Sequence, residues 1–208
     1  KQVQQLVAAV KTLKPDLLVA TGDIVDGHIS HVDGVSQMLR ELHPPLGMVA
    51  VMGNHEYYAG PGSSRRFLEL SGFQLLQDQT VLIGEHLALV GVDDPAAKRF
   101  GKSGISDEVA LLGGIPHDRF VLLLKHRPVV VQKSVGRFDL QLSGHVHKGQ
   151  IFPFNLLTWL NFPVRAGMSQ LAGASRLYVS RGTGTWGPPI RFLAPPELTV
   201  IDLEPAKK

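Results

Sequence analysis

The chain has 208 residues, a formal net charge of +3 and no cysteine. Its length fits one globular domain over residues 1–208, and an apolar fraction of 44% excludes a disordered chain. The absence of cysteine excludes disulfides and thiolate metal sites, so any metal must bind nitrogen and oxygen ligands. The small positive charge makes nucleic acid an unlikely partner class but suits an anionic substrate or a lipid headgroup surface.

Neither a signal peptide nor a run of the roughly 18 apolar residues that a membrane span needs occurs in the sequence. Apolar residues at helical spacing predict an amphipathic helix over residues 3–13, stopped by Pro15. This helix leads into a strand, yet no strand precedes it, as a βαβ unit would require. Because Lys1 is also not a natural initiator, we expect the natural chain to begin earlier, with the missing first strand.

Four short apolar runs predict buried parallel strands, and each ends in polar residues. These runs are 17–20, 48–52, 120–124 and 140–142. Open α/β sheets bind ligands at the carboxyl ends of their strands, so four polar loops at such ends predict one shared site.

The remaining elements complete an α/β pattern. We predict a helix capped by Ser63 or Ser64 that ends near Gly72, and a short helix over residues 106–112. Strands of a meander are predicted at 75–76, 81–83 and 87–92. After residue 150 the chain is rich in glycine and proline, with strands predicted at 177–180 and 198–203.

The loop 143–147 carries two histidines, His145 and His147, directly after a glycine. In a tight loop both imidazoles can turn towards one point, and imidazole is a common metal ligand. The other three strand-end loops add Asp23, Asn54 and His126. Taken singly, Asp23 also fits a turn cap and His126 a buried core histidine, but together the five residues predict a metal site.

The predicted donor set mixes oxygen and nitrogen, which suits Mn, Fe, Zn or Co better than calcium. Two such cations about 4 Å apart can hold a bridging hydroxide and position a phosphoryl group in line with it. His55, beside Asn54, is placed to donate a proton to the leaving oxygen.

Four motifs, in their order and strand-end context, resemble the calcineurin-like metallophosphoesterase family: GDIVD at 22–26, GNHE at 53–56, the lone His126 after a strand, and GHVH at 144–147. The resemblance implies an α/β fold, a four-layer sandwich of two mixed β-sheets flanked by helices. It also implies a dinuclear site in which Asp23 bridges two divalent ions (Mn, Zn or Fe). Asn54, His126 and His145 would bind one ion and His147 the other, with His55 near the leaving group.

A narrower likeness rests on GNHEYYAG at 53–60, GVDD at 91–94, GQIFPF at 149–154 and the tail 180–197. These resemble bacterial phosphodiesterases that carry membrane or export segments, some of whose relatives hydrolyse UDP-2,3-diacylglucosamine. The likeness implies a phosphodiesterase or pyrophosphatase acting on a lipid-linked or membrane-associated phosphoester. It also implies membrane association through a segment outside this chain, with the extracytoplasmic side favoured. The alternatives are a cyclic-nucleotide or nuclease-type phosphodiesterase and a catalytically silent binding scaffold.

The chain departs from the family pattern in two places. The family begins with an Asp-x-His loop on its first strand, which this sequence lacks, and the scaffold alternative holds if that loop is truly absent. Lys148 stands where relatives usually have glycine, and it either steers an anionic substrate or is simply solvated.

Several further residues carry weaker expectations. We expect Asp26 to support the ligand loop by hydrogen bonding rather than by coordination, and Glu56 to be structural. The apolar segment 151–164 either folds over the core or forms a membrane or substrate lip through Phe154, Trp159 and Leu160, assisted by Lys148. The other histidines are expected to be surface or structural residues, and they are His28, His31, His43, His86 and His117.

Overall fold

The computed structural model describes residues 2–25, 33–102, 107–150, 164, 166–185, 187 and 190–204. The helices are α1 (Gln2–Leu13), α2 (Asp33–Arg40), α3 (Asn54–Ala59), α4 (Pro61–Leu70) and α5 (Glu108–Gly113). The strands are β1 (Leu18–Ala20), β2 (Met48–Ala50), β3 (Gln74–Leu75), β4 (Gln79–Ile83), β5 (Leu87–Val92), β6 (Phe120–Lys125), β7 (Leu140–Ser143), β8 (Gly167–Gln170) and β9 (Arg176–Val179). Short 3₁₀ helices lie at Pro95–Phe100, Gln132–Ser134 and His147–Gly149.

The strands form two sheets. The smaller sheet is parallel and has the order β1-β2-β3. The larger sheet has the order β4-β5-β6-β7-β9-β8, in which β5, β6, β7 and β9 are parallel and the edge strands β4 and β8 are antiparallel to their neighbours. The carboxyl ends of β5, β6 and β7 therefore lie along one edge of this sheet.

The two sheets face each other across a shared apolar core. This core takes Val49 and Val51 from the β2 segment and Leu89, Leu122 and Leu124 from β5 and β6. Because successive side chains of a strand point to opposite faces, the alternate residues are buried on the outer faces. There the smaller sheet packs under α1, α2 and α4, and the larger sheet packs under α5. The predicted α/β sandwich of two sheets flanked by helices is confirmed.

Most of the predicted elements are found. The first helix, the strands before the four polar loops and the strand near 177–180 agree with the sequence pattern. Asp107 caps α5, since its Oδ1 accepts a hydrogen bond from the Ala110 N–H at 3.0 Å. The helix expected to begin at Ser63 or Ser64 begins earlier, at Pro61, because Ser64 is buried inside it with its hydroxyl donating to the Glu56 carbonyl.

Two strand predictions are wrong. The segment at 75–76 does not belong to a meander, because β3 pairs in parallel with β2 in the smaller sheet. Residues 198–203 form no strand. Their apolar side chains, Leu198 and Ile201, pack on the core clusters, while the Tyr178 hydroxyl hydrogen-bonds the side chains of Glu197 and Thr199.

Candidate metal centre

His126, the residue after β6, lies at the centre of the predicted site. Its side chain is 1% exposed, and its Nε2 lies 3.0 Å from Asp23 Oδ2, 3.0 Å from His145 Nδ1 and 3.1 Å from Asn54 Oδ1. Its Nδ1 lies 2.8 Å from the carbonyl oxygen of Thr21. A carbonyl oxygen only accepts, so Nδ1 carries the proton of this bond. The ring is thereby oriented with Nε2 towards the other donor atoms, as in histidines that bind metals.

Four of the five predicted ligands thus converge on one point. The donor atoms of Asp23, His126 and His145 all lie within 4.8 Å of one another, and the amide oxygen of Asn54 adjoins them. One carboxylate, one amide oxygen and two imidazoles are a donor set typical of sites for Mn, Fe or Zn. The residues present therefore fit a divalent cation.

Two glycines allow the loops that carry Asp23 and Asn54 to touch. A Cβ added to Gly53 would lie 2.2 Å from Asp23 Oδ1, and one added to Gly22 would lie 2.5 Å from the Gly53 nitrogen. Neither distance is possible between real atoms. Asp23 itself has φ of 55°, a left-handed conformation that aspartate tolerates better than most residues.

A single buried carboxylate, that of Glu56, joins the same two loops. One of its oxygens accepts from the backbone N–H groups of Asp23 and Gly53, both at 2.8 Å, and the other accepts from Val25 at 2.9 Å. Burial raises the pKa of Glu56, and these backbone N–H groups oppose that rise. The structural role predicted for Glu56 is confirmed, because this residue joins the two ligand loops. A glutamate three residues after a helix N-cap was the available signal.

The electrostatics of the centre favour the metal-binding forms of Asp23 and His145. For His126, burial lowers the pKa, but the hydrogen bond and charge of Asp23 outweigh it and raise the pKa overall, so a bound cation would compete with a proton there. Burial favours the neutral form of Asp23, but the hydrogen bond and charge of His126 and the His55 backbone N–H lower its pKa overall. Burial lowers the pKa of His145 to about 4, helped by the positive charges of His126 and Arg127. His145 is therefore a neutral imidazole near pH 7, and binding a cation need not displace a proton from it.

His147 lies outside the group formed by Asp23, His126 and His145. Its Nδ1 accepts a hydrogen bond from Nη2 of Arg191 at 3.0 Å, since a guanidinium can only donate. Burial lowers the pKa of His147 to about 4, and the charge of Arg191 adds to this effect. The loop bends sharply here, because His145, His147 and Lys148 all have left-handed backbone conformations. Lys148 is exposed beside it.

His55 stands at the edge of the centre. It directly follows Asn54 in α3, its backbone N–H donates to Asp23 Oδ1 at 2.9 Å, and its ring is partly exposed. Its ring centroid lies 6.1 Å from that of the exposed Tyr58.

Some of the predictions fall on residues outside the described ranges. These residues are Asp26, His28, His31, Phe154, Trp159 and Leu160. Three of the histidines expected at the surface, His43, His86 and His117, are indeed exposed.

One charged pair beside the centre was not predicted from the sequence. Arg127, the residue after His126, makes two hydrogen bonds to the buried carboxylate of Asp94, which follows β5. The sequence places both residues after predicted strands, in segments 91–94 and 125–128, but does not indicate that they pair.

Two facing sheets with carboxylate, amide and imidazole donors at their strand ends define a metallohydrolase. The model of the family described as "Calcineurin-like phosphoesterase" matches residues 1–149, and the chain belongs to this family. Calcineurin-like phosphoesterases use divalent metals, so the protein is a metal-dependent hydrolase of phosphoric esters.

Relatives from several organisms support this family assignment. The chain is 43% identical to a metallophosphoesterase of Aquifex aeolicus, over 92% of this chain and 74% of that protein. It is 36% identical to a bovine "Transmembrane protein with metallophosphoesterase domain", over 99% of this chain and 49% of that protein. It is 35% identical to a metallophosphoesterase of Helicobacter pylori, over 98% of this chain and 55% of that protein. The chain thus spans only about half the length of the latter two relatives.

Solved structures show the same fold. A 5′-nucleotidase precursor from Thermus thermophilus superposes with a TM-score of 0.50 over 88% of this chain and 42% of that one, at 16% identity. At that identity the likeness concerns the fold alone.

No helix within the described part of this chain is both long enough and apolar enough to cross a bilayer.

Proposed function

We propose that the protein is a two-metal phosphodiesterase or pyrophosphatase whose substrate is a lipid-linked or membrane-associated phosphoester. The observation that carries the proposal is the convergence of Asp23, Asn54 and His145 on Nε2 of His126. These four residues would hold one ion. Asp23 would also reach the second ion, to which His147 would contribute.

The ions, when bound, would supply positive charge for the phosphoryl oxygens and lower the pKa of a water molecule. The chain would do the rest by positioning. The lowered pKa of Asp23 keeps its carboxylate ionised at neutral pH, and the Thr21 carbonyl holds the His126 ring in place. His55, fixed through its backbone to Asp23 and partly exposed at its ring, would give a proton to the leaving oxygen.

Apolar side chains near His147 support a lipid-linked substrate. Ile190, Phe192 and Leu193 are 60%, 59% and 70% exposed. They flank Arg191, which donates to His147, and the Phe192 N–H donates to the carbonyl of Gln150, three residues after His147. Exposed apolar residues grouped next to a polar site are typical of surfaces that contact apolar ligands. The bovine relative is named a transmembrane protein, which agrees with a membrane-associated substrate.

Hydrolysis of two phosphodiesters by the purified protein with Mn²⁺ or Zn²⁺ tests the reaction. Bis-p-nitrophenyl phosphate has a leaving group that needs little protonation, whereas an alkyl phosphodiester has one that does. We expect His55→Ala to lower kcat on the alkyl diester by about 10²-fold or more and to have a smaller effect on the nitrophenyl diester. Asp23→Asn should weaken metal binding and turnover on both substrates. His86→Ala, at an exposed histidine, is the matched control.

Absence of turnover on both diesters with every metal would contradict the proposed reaction. Equal losses on both diesters in His55→Ala would contradict a proton-donor role for His55. The substrate class is tested separately, by comparing a pyrophosphate diester that carries acyl chains, in detergent micelles, with its deacylated form. Equal kcat/KM values for the two forms would contradict a lipid-linked substrate.

A further inference from the structure

An arginine and an aspartate are paired at the carboxyl ends of the neighbouring strands β6 and β5. Nε of Arg127 donates to Oδ2 of Asp94 at 2.8 Å, and Nη2 donates to Oδ1 at 3.1 Å. The Asp94 side chain is fully buried, and its Oδ1 also accepts from the Ala96 N–H at 2.8 Å. The carboxylate is thus anchored to the backbone, and its two hydrogen bonds to Nε and Nη2 fix the plane of the guanidinium.

The pair uses only part of the guanidinium. Of its five N–H groups, two bind Asp94. The remaining three have no hydrogen-bond partner among the residues that the structure describes, and 31% of the Arg127 side chain is exposed. A fixed guanidinium with one edge paired and the other edge open is the geometry that binds carboxylates and phosphates.

This arginine lies beside the metal centre. It follows His126, and the loop 143–147 is joined to the same segment, since the Gly144 N–H donates to the His126 carbonyl at 2.9 Å.

A second ion pair at the end of β6, that of Lys125 with Glu108, provides a comparison because it is more deeply buried. Lys125 donates to Glu108 at 2.6 Å and to the Val129 carbonyl at 2.7 Å, and the two charged side chains are only 11% and 4% exposed. Both charges of that pair are thus largely removed from solvent. Arg127, two residues further along the chain, instead has three N–H groups without a partner among the described residues.

We propose that Arg127 binds a nonbridging oxygen of the substrate phosphoryl group through its open N–H edge. Asp94 is then a positioning residue that holds the guanidinium in the orientation needed. The inference deepens the proposed function, on which it rests, by adding a recognition element for the phosphate itself.

Binding of inorganic phosphate tests the inference without turnover. We would load the protein with Zn²⁺, confirm by calorimetry that each variant binds the metal, and then titrate phosphate. Arg127→Gln should raise the phosphate Kd by about 10-fold to 100-fold, because it removes charge-assisted hydrogen bonds. Arg127→Lys keeps the charge but loses the planar fork, so an intermediate value is expected. Asp94→Asn should raise the Kd several-fold while retaining an acceptor for Ala96.

Arg119→Gln is the matched control. It removes the same charge just before the start of β6, where Arg119 binds the Gly84 carbonyl at 2.8 Å, and should leave phosphate affinity unchanged. Wild-type phosphate affinity in Arg127→Gln, or in both Arg127→Lys and Asp94→Asn should the first variant not fold, would overturn the inference. An equal loss in Arg119→Gln would also overturn it, since net charge alone would then explain the effect. Phosphate binding that depends on Arg127 in a protein that hydrolyses no phosphoester would support this inference while the proposed function fails.

Discussion

Glu56→Gln removes one oxygen acceptor from a site that serves three backbone donors. The carboxylate accepts from Asp23, Gly53 and Val25, but an amide has a single oxygen. At least one backbone N–H must then face an NH₂ group and stay unpaired inside the protein. An unpaired buried donor costs about 1–3 kcal/mol, and the remaining bonds lose their charge assistance.

One effect of Glu56→Gln partly offsets this loss of stability. Burial raises the pKa of Glu56, which means that holding the ionised carboxylate inside the protein is itself unfavourable. Weighing these effects, we expect Glu56→Gln to lower the free energy of unfolding by about 2–3 kcal/mol. Since Asp23 and Asn54 lie in the two loops that this carboxylate joins, the affinity for divalent metal should fall as well.

Urea denaturation at pH 7 in the presence of a chelator measures the first effect, and calorimetric titration with Mn²⁺ measures the second. Glu69→Gln is a suitable control, because Glu69 is an exposed glutamate near the end of the adjacent helix α4. Its effect on the free energy of unfolding should stay within about 0.5 kcal/mol. An unchanged denaturation midpoint in Glu56→Gln would refute the reasoning, since it would mean that the three backbone donors find other partners without cost.

Three other outcomes follow from the same centre. Gly53→Ala should lower the free energy of unfolding by about 1–3 kcal/mol and weaken metal binding, because the new Cβ would lie 2.2 Å from Asp23 Oδ1. Unchanged Mn²⁺ affinity would contradict this. Saturating divalent metal at about 100 times its Kd should raise the free energy of unfolding by about 2.7 kcal/mol, and His126→Ala should abolish the gain in a thermal melt. In metal-free protein the pKa values of His145 and His147 are lowered from 6.5 to about 4, so the unfolded chain binds more protons and stability is lost as pH falls from about 6.5 to about 4. We expect each histidine to lower the free energy of unfolding by about 1–3 kcal/mol across this pH range. Urea denaturation at a series of pH values should show a smaller loss of stability in His145→Gln than in the wild type.

The ligand convergence could be predicted from sequence because it depends on a rule about strand ends. Asp23, Asn54, His126 and His145 each follow a short apolar run, and parallel strands bring such ends together. The pair of Arg127 and Asp94 could not be predicted in this way. The two residues are 33 positions apart, and their contact depends on the register of β5 with β6.

The wrong strand predictions have a related cause. The segment at 75–76 is apolar and extended as expected, but nothing local specifies which sheet it joins. The segment at 198–203 has strand-like residues, yet it is held by side-chain contacts rather than by a backbone ladder. Sequence patterns describe the face that a segment buries better than they describe its partner.

The distribution of the donor atoms over the two sheets has a consequence for how the protein acquires its metal. Asp23 and Asn54 follow β1 and β2 of the smaller sheet, whereas His126 and His145 follow β6 and β7 of the larger one. Neither half of the chain can assemble the coordination sphere by itself, so tight ion capture comes after the two halves have docked. Ion uptake should therefore report completed folding, and a bound ion should retard the separation of the sheets during unfolding.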